Sequence, residues 1–514
     1  MARSRSRAAR AHAAQAAQAR GAKRRAAVAA QARFVAEAPP LGAGPFGRAD
    51  VRLAAILALC AFLIYNANLR PISAGDCFPA RFLPFAILEH GSLYLDSVLE
   101  ATGQGHPAPY WIIASRDDRR ASMYPVVTPL LVTPVYIPAW LYVKYRGWTQ
   151  QRLSDLGAPM EKLAASLVAS CTAGLLFLVL RRRMSRRKAL LLAAAFALGT
   201  NTWMTGSQGL WQHGTGELFA TLALLAMTVG SAESPPSWSR IALAGFLTGL
   251  LPANRPPDLA LAAGFGIYAL FWARKRAPVF VLAAAVPAAL TLLYNHWMFN
   301  NLSGGYGVIG AAQASFFQGS MLVGIAGLLV SPGKGLFVFS PFLLFLPVLF
   351  RRTLAATPES PPEERSHRTL TLCLAGAVIL QILLYARADW RAGFSWGPRF
   401  LTDMLPLLIW MLAPIVESLT QRPRRLFVAA VLFSVLVQAV GAFYYQGRSD
   451  ILIYQGPGNP ALLAWRPSHT PFWAELENGL APMEFLRFFG VEERMRLPGN
   501  WIRALLPGAT GSSR

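Results

Sequence analysis

The chain has 514 residues, of which 54% are apolar and only 14% charged. Soluble globular proteins carry about 25% charged residues, so this composition excludes a soluble multidomain enzyme and equally a disordered chain. The 49 basic residues outnumber the 25 acidic ones and leave a net charge of +24, whose meaning depends on where along the chain it sits.

Residues 1–50 are rich in Ala, Arg and Gln, with basic residues from Arg3 to Arg48 against only Glu37 and Asp50. They contain no apolar stretch of the kind that forms the centre of a cleavable signal peptide. This segment reads as a disordered cytoplasmic tail that helps fix membrane topology, and it calls for no nucleic-acid partner.

Apolar runs of helical length then follow at 51–68, 163–180, 189–205, 214–230, 241–253, 258–273, 277–294, 336–350, 369–386, 401–418 and 425–444. The pattern predicts an all-α polytopic membrane protein with about eleven transmembrane helices. The run at 124–143 carries Pro125, Pro129, Pro134 and Pro138, which suits a broken or interfacial helix better than a straight span. The Gly-rich stretch 316–334 reads as a re-entrant or interfacial piece. Arg181, Arg182, Arg183, Arg186, Arg187 and Lys188 form a basic loop expected in the cytoplasm. With the N-terminus also inside, the loops 274–276, 351–368 and 421–425 fall inside as well. The domain plan is a tail at 1–50, a transmembrane domain at 51–444 with a first outer loop at 69–162, and a short outer C-terminal segment at 445–514.

The four cysteines (Cys60, Cys77, Cys171, Cys373) show neither zinc-ligand spacing nor a disulfide framework. No metal site or cofactor is expected, although a divalent ion is left open.

This topology turns the polar clusters outward: SAGDCFPARFLP (73–84), the turn holding Gln208, Trp211, Gln212 and His213, NRPPD (254–258), YNHWMFNNLSGGYG (294–307), SPGKG (331–335) and WRAGFSWGPRFLTD (390–403). Charge near the bilayer is costly, so a shared outward-facing site is one reason for such clusters. Asp76 is a candidate general base, or else a turn residue paired with Arg81. Asp96 either orients an acceptor or caps a surface helix. Arg255, Lys334 and Arg399 sit in Gly- or Pro-containing outer turns, where they hold a phosphate or reach to lipid headgroups. His213 sits among interfacial aromatics without a matched carboxylate spacing for metal, and with Arg81 and Asp96 it is a candidate for orienting an acceptor. Glu217, a short way into an apolar run, reads as a buried hydrogen-bonded group or a transport residue.

The first span, the Gly75-Asp76 loop and the Pro-rich run from Tyr124-Pro125 together resemble the GT-C membrane glycosyltransferases. The likeness is strongest to the group of protein O-mannosyltransferases and aminoarabinose transferases (glycosyltransferase family 39). It covers 51–444 in topology and is anchored at residue level in 73–96; Cys77 stands where an adjacent acidic pair would have its second member. The resemblance implies a GT-C fold with outer interfacial helices, a sugar donor on polyprenyl phosphate, and Asp76 as catalytic base. It implies inverting transfer to a hydroxyl of a cell-envelope glycan, lipid or protein, in the cell membrane with the C-terminus outside. The rival expectation is a transporter or flippase of a lipid-linked glycan intermediate. Such a protein needs polar groups near the midplane, and no internal repeat is visible to support it. A structural or assembly membrane protein without chemistry is the third.

Overall fold

The structure, a computed structural model, describes residues 46–102, 111–228, 235–310, 317–354 and 360–489. The basic tail up to position 45 and the end of the C-terminal segment from 490 therefore lie outside the described residues. The described chain is α-helical apart from one two-stranded ribbon. Among the described residues, five helical segments are long and apolar enough to cross a membrane: Arg48–Asn66, Gln150–Arg181, Pro256–Phe299, Pro362–Arg387 and Gln421–Tyr444. This is an all-α polytopic membrane protein.

The first of them, α1 (Arg48–Asn66), leads through a short 3-10 turn (Gly75–Cys77) into α2 (Phe78–His90). That helix stops at Gly91, which takes the left-handed conformation (φ 58°) that glycine adopts at little cost. Next come α3 (Asp96–Thr102) and an antiparallel ribbon of β1 (Ile112–Ala114) and β2 (Arg120–Ser122), with Ile113 opposite Ala121. The proline-rich run forms α4 (Val127–Arg146), one continuous helix rather than a broken one. Pro134 and Pro138 stand inside it, each removing one backbone donor, and α4 packs on α2.

The long helix α5 (Gln150–Arg181) begins at Thr149, whose hydroxyl accepts the Arg152 amide. Its 32 residues extend about 48 Å, well beyond a hydrocarbon core of about 30 Å. The polar end with Gln150, Gln151, Arg152 and Asp155 is the overhang, since 163–180 is apolar. Helices α2, α3 and α4 all lean on α5.

Then come α6 (Arg186–Gly199), α7 (Gln212–Thr228) and α8 (Trp238–Asn254). The pair α9 (Leu259–Ala273) and α10 (Ala277–Phe299) follows, broken at Arg274–Arg276, where Arg274 has φ 51°. Both helices of the pair pack on α8. A single turn, α11 (Gly305–Val308), precedes α12 (Met321–Val330), whose ten residues rise only about 15 Å and are too short to cross a bilayer.

The apolar run 336–350 is not one helix. It splits into α13 (Leu336–Phe339), a 3-10 turn (Pro341–Leu344) and α14 (Phe345–Thr353). Pro341 has no amide to continue the helical ladder, and the Ser340 hydroxyl leaves to donate to the Gly199 carbonyl at 2.8 Å. The remaining helices are α15 (Pro362–Arg387), α16 (Leu405–Ser418), α17 (Gln421–Tyr444) and the short α18 (Arg448–Tyr454), α19 (Pro460–Leu463) and α20 (Pro471–Asn478).

Two helices show how the bundle sorts its apolar surface. α16 is apolar all round and buried almost all round, packed against α6, α7 and α14. α10 does the reverse and turns Leu282, Leu290 and Leu293 outward, more than 60% exposed, a face that suits lipid rather than water.

Candidate functional site

The turn Gly75–Cys77 presents Asp76 just before α2. Gly75 has no room for a side chain, because the Trp111 indole occupies the place of its Cβ. Among the described residues, Arg399 and Tyr124 donate to different oxygens of the Asp76 carboxylate. Arg399 Nη1 reaches Oδ2 at 2.8 Å, and the Tyr124 hydroxyl reaches Oδ1 at 2.8 Å. Tyr124 follows the β2 strand, and Arg399 belongs to the 3-10 turn Arg399–Leu401 ahead of α16. The pair is only partly covered: the Asp76 side chain is 22% exposed and that of Arg399 11%, so solvent reaches both.

Aromatic rings frame this pair. The Arg399 guanidinium lies over Trp211, 4.3 Å from the ring centre, and Tyr124 meets Tyr306 edge-on at 6.1 Å. A cation over an indole gains about 0.5–2 kcal/mol and is also oriented by the ring. Burial pushes the Tyr306 phenol up to about 12.

Behind the pair lies a buried network that fixes the Arg399 segment. Asp403 Oδ2 accepts from Arg255 Nη1 at 2.7 Å and contacts His213 Nδ1 at 2.8 Å. Arg255 stands 3.9 Å from Asp258, whose Oδ1 accepts from Gln381 at 2.7 Å. Its guanidinium also faces the Tyr385 and Phe400 rings. α7 fits against these carboxylates only because residue 216 is glycine: a Cβ there would stand 2.7 Å from Asp403 Oδ1. Asn254 ties in the neighbouring elements, accepting from the Thr128 hydroxyl at 2.7 Å and exchanging bonds with Gln212.

The sequence candidates thus separate into two groups. Asp76 and Arg399 meet directly, and Arg255 and His213 stand behind them through Asp403. Arg81 does not serve Asp76. It bonds Glu161 at 2.6 Å and Ser73 at 2.6 Å, because α5 brings a fully buried carboxylate closer, and Arg399 takes the place expected for it. Asp96 accepts from the Arg120 amide at 3.0 Å and from the Arg119 and Arg120 side chains at 3.2 Å, joining the start of α3 to the ribbon. Burial alone raises its pKa, but the bonds from Arg120 and Arg119 outweigh that and hold it below the ordinary carboxylate value.

Lys334 is fully buried. Its amine donates to Asp450 Oδ1 at 2.9 Å and to the carbonyls of Gly393 and Ser395. Asp450 in turn accepts from the Tyr445 hydroxyl at 2.5 Å. Of the two glycines of this loop, Gly335 donates to the Ser331 carbonyl at 2.8 Å in a tight turn and Gly333 to the Ala464 carbonyl at 3.2 Å, instead of opening a cradle for an anion. Glu217 accepts from the Thr202 hydroxyl at 2.6 Å. Among the described residues no three His, Cys, Asp or Glu side chains gather as a metal site.

Tyr124, Asp258 and Asp403 escape single-residue reasoning. Asp258 and Asp403 do lie in polar clusters, the one signal available, but their partners Gln381 and Arg255 stand more than a hundred positions away in the chain.

No family model and no curated protein matches the sequence. Among solved structures, the chain is similar to a crystal structure of the Archaeoglobus fulgidus oligosaccharyltransferase in complex with Zn and sulfate. The match has a TM-score of 0.37 and 14% identity over 82% of this chain and 53% of that one. The chain spans about half the length of that protein, and a likeness of this size assigns it neither family nor activity.

Proposed function

We propose that this chain is an integral-membrane glycosyltransferase of the GT-C kind, which moves a sugar from a polyprenyl-phosphate donor to a hydroxyl acceptor at the outer face. The observation that carries this is the partly exposed Asp76 carboxylate with the Arg399 guanidinium seated on it, at the head of the loop that follows α1. A carboxylate and a phosphate-binding cation side by side are the two groups that such a transfer requires.

In this mechanism the acceptor oxygen attacks the anomeric carbon and Asp76 takes its proton. The bond from that carbon to the phosphate oxygen breaks, and the electron pair leaves with the lipid phosphate. Arg399 stabilises the charge developing there, a fixed donor in a partly dry site. Arg255 acts one step back, holding the Arg399 segment through Asp403. A single displacement inverts the anomeric centre. Trp211, Tyr124 and Tyr306 limit water around the reacting atoms.

The proposal is tested by mass spectrometry of envelope glycolipids and glycoproteins from cells with and without the protein. One glycan species should disappear with the gene, and an unchanged profile would contradict the proposed activity.

The topology that goes with it has about eleven spans, the N-terminus in the cytoplasm and the C-terminal segment outside. Cysteines introduced at Ser185 and Ser468 should label from opposite faces with a membrane-impermeant thiol reagent. Labelling from the same face would remove the outward site.

A further inference from the structure

Arg399 uses only part of its guanidinium. Nη1 serves Asp76 at 2.8 Å, whereas Nε is shut off from solvent and finds no acceptor among the described residues. The ring of Trp211 covers one face of the group. An incoming anion therefore reaches Arg399 through its terminal nitrogens, and Asp76 already holds one of them, Nη1. Phosphate binds an arginine best through two parallel bonds, and a carboxylate on one prong competes for that geometry and adds like-charge repulsion.

We infer that Asp76 and the phosphate of the lipid donor compete for Arg399, so that donor binding itself releases the carboxylate for its work as base. This rests on the proposed function and adds an order of events to it. Before the donor arrives, Asp76 is held as an ion pair and is a poor acceptor of a proton. When phosphate takes Arg399, Tyr124 keeps its 2.8 Å bond to Oδ1 and holds the carboxylate in position, now without the guanidinium on Oδ2. The base becomes available only when there is a sugar to transfer. The binding sequence is donor first and acceptor second.

The competition has an unusual signature: removing the catalytic carboxylate should improve phosphate binding. The test measures binding of geranylgeranyl phosphate, a short polyprenyl phosphate, to the full chain in nanodiscs. Geranylgeraniol serves as the control for the tail alone. Asp76→Asn should bind the phosphate about tenfold more tightly than the wild type, the loss of one partly screened ion-pair competitor. Arg399→Ala should bind about tenfold more weakly, and adding Asp76→Asn to it should give no gain. Arg399→Gln takes its place if the alanine variant is not recovered folded. Geranylgeraniol should bind all variants alike.

An unchanged affinity in Asp76→Asn overturns the competition while leaving the donor assignment standing. An equal gain in the Arg399→Ala background overturns it too, since that gain would come from general charge and not from Arg399. Absence of phosphate-dependent binding in every variant removes the donor assignment itself, and the competition with it.

Discussion

Asp76→Asn should lower sugar transfer by about 10²-fold or more, with folded protein recovered in normal yield. A hydroxyl is a weak nucleophile at neutral pH and needs its proton removed as the bond to the sugar forms. The amide keeps the size of the carboxylate and can still meet Tyr124, but it has no basic oxygen. Asp76→Glu should also retain little activity, because one methylene displaces the carboxylate from the distance at which positioned proton transfer works. The decisive readout is turnover with a lipid-linked sugar in nanodiscs, or complementation of a deletion strain until the donor is known. Near-normal transfer by Asp76→Asn would end the assignment of this residue as base.

The second large effect concerns stability. Lys334→Met should cost about 3–5 kcal/mol, because it strands the buried Asp450 without its counter-ion. Proteins are stable by only about 5–15 kcal/mol, so the variant should show a sharply reduced folded yield and melting temperature in detergent. Replacing both partners, Lys334→Met with Asp450→Leu, should recover much of the loss, since an apolar pair tolerates the site. A fluorescence-detected size-exclusion melt distinguishes the outcomes. If Lys334→Met folds like the wild type but loses phosphate binding, Lys334 is a ligand-binding residue and not a structural one.

Most of the fold was legible because helix formation in an apolar run is a local matter. The runs at 277–294 and 425–444 became helices, with ends displaced by a few residues. The run at 336–350 misled because composition says nothing of the pull on Ser340 from Gly199 on another helix. In the proline-rich run only the broken alternative fails: α4 stays whole despite Pro134 and Pro138, packed on α2, and is not among the helices apolar enough to span. At the site, residue types and expected outer-turn positions nominated Asp76 and Arg399 separately. Their meeting was not legible, since 323 residues separate them in the chain. For the same reason Arg81, five residues from Asp76, looked like its natural partner, although Glu161 holds it instead.

One turn of α5 carries two neighbouring residues with separate attachments. Glu161 holds Arg81 and the Leu210 amide, and Lys162 holds Asn68 and Gln208. The stretch that bears Asp76 and the stretch that bears Trp211 are therefore both located from the same place on the same rod. In a machine this is a common datum: two parts gauged from one mark do not accumulate the errors of every part between them. The spacing between the carboxylate and the indole beneath Arg399 is thus insulated from small shifts in the many helices that separate them in sequence. A change at Glu161 or Lys162 would misalign both parts together, though neither residue touches the carboxylate or the guanidinium.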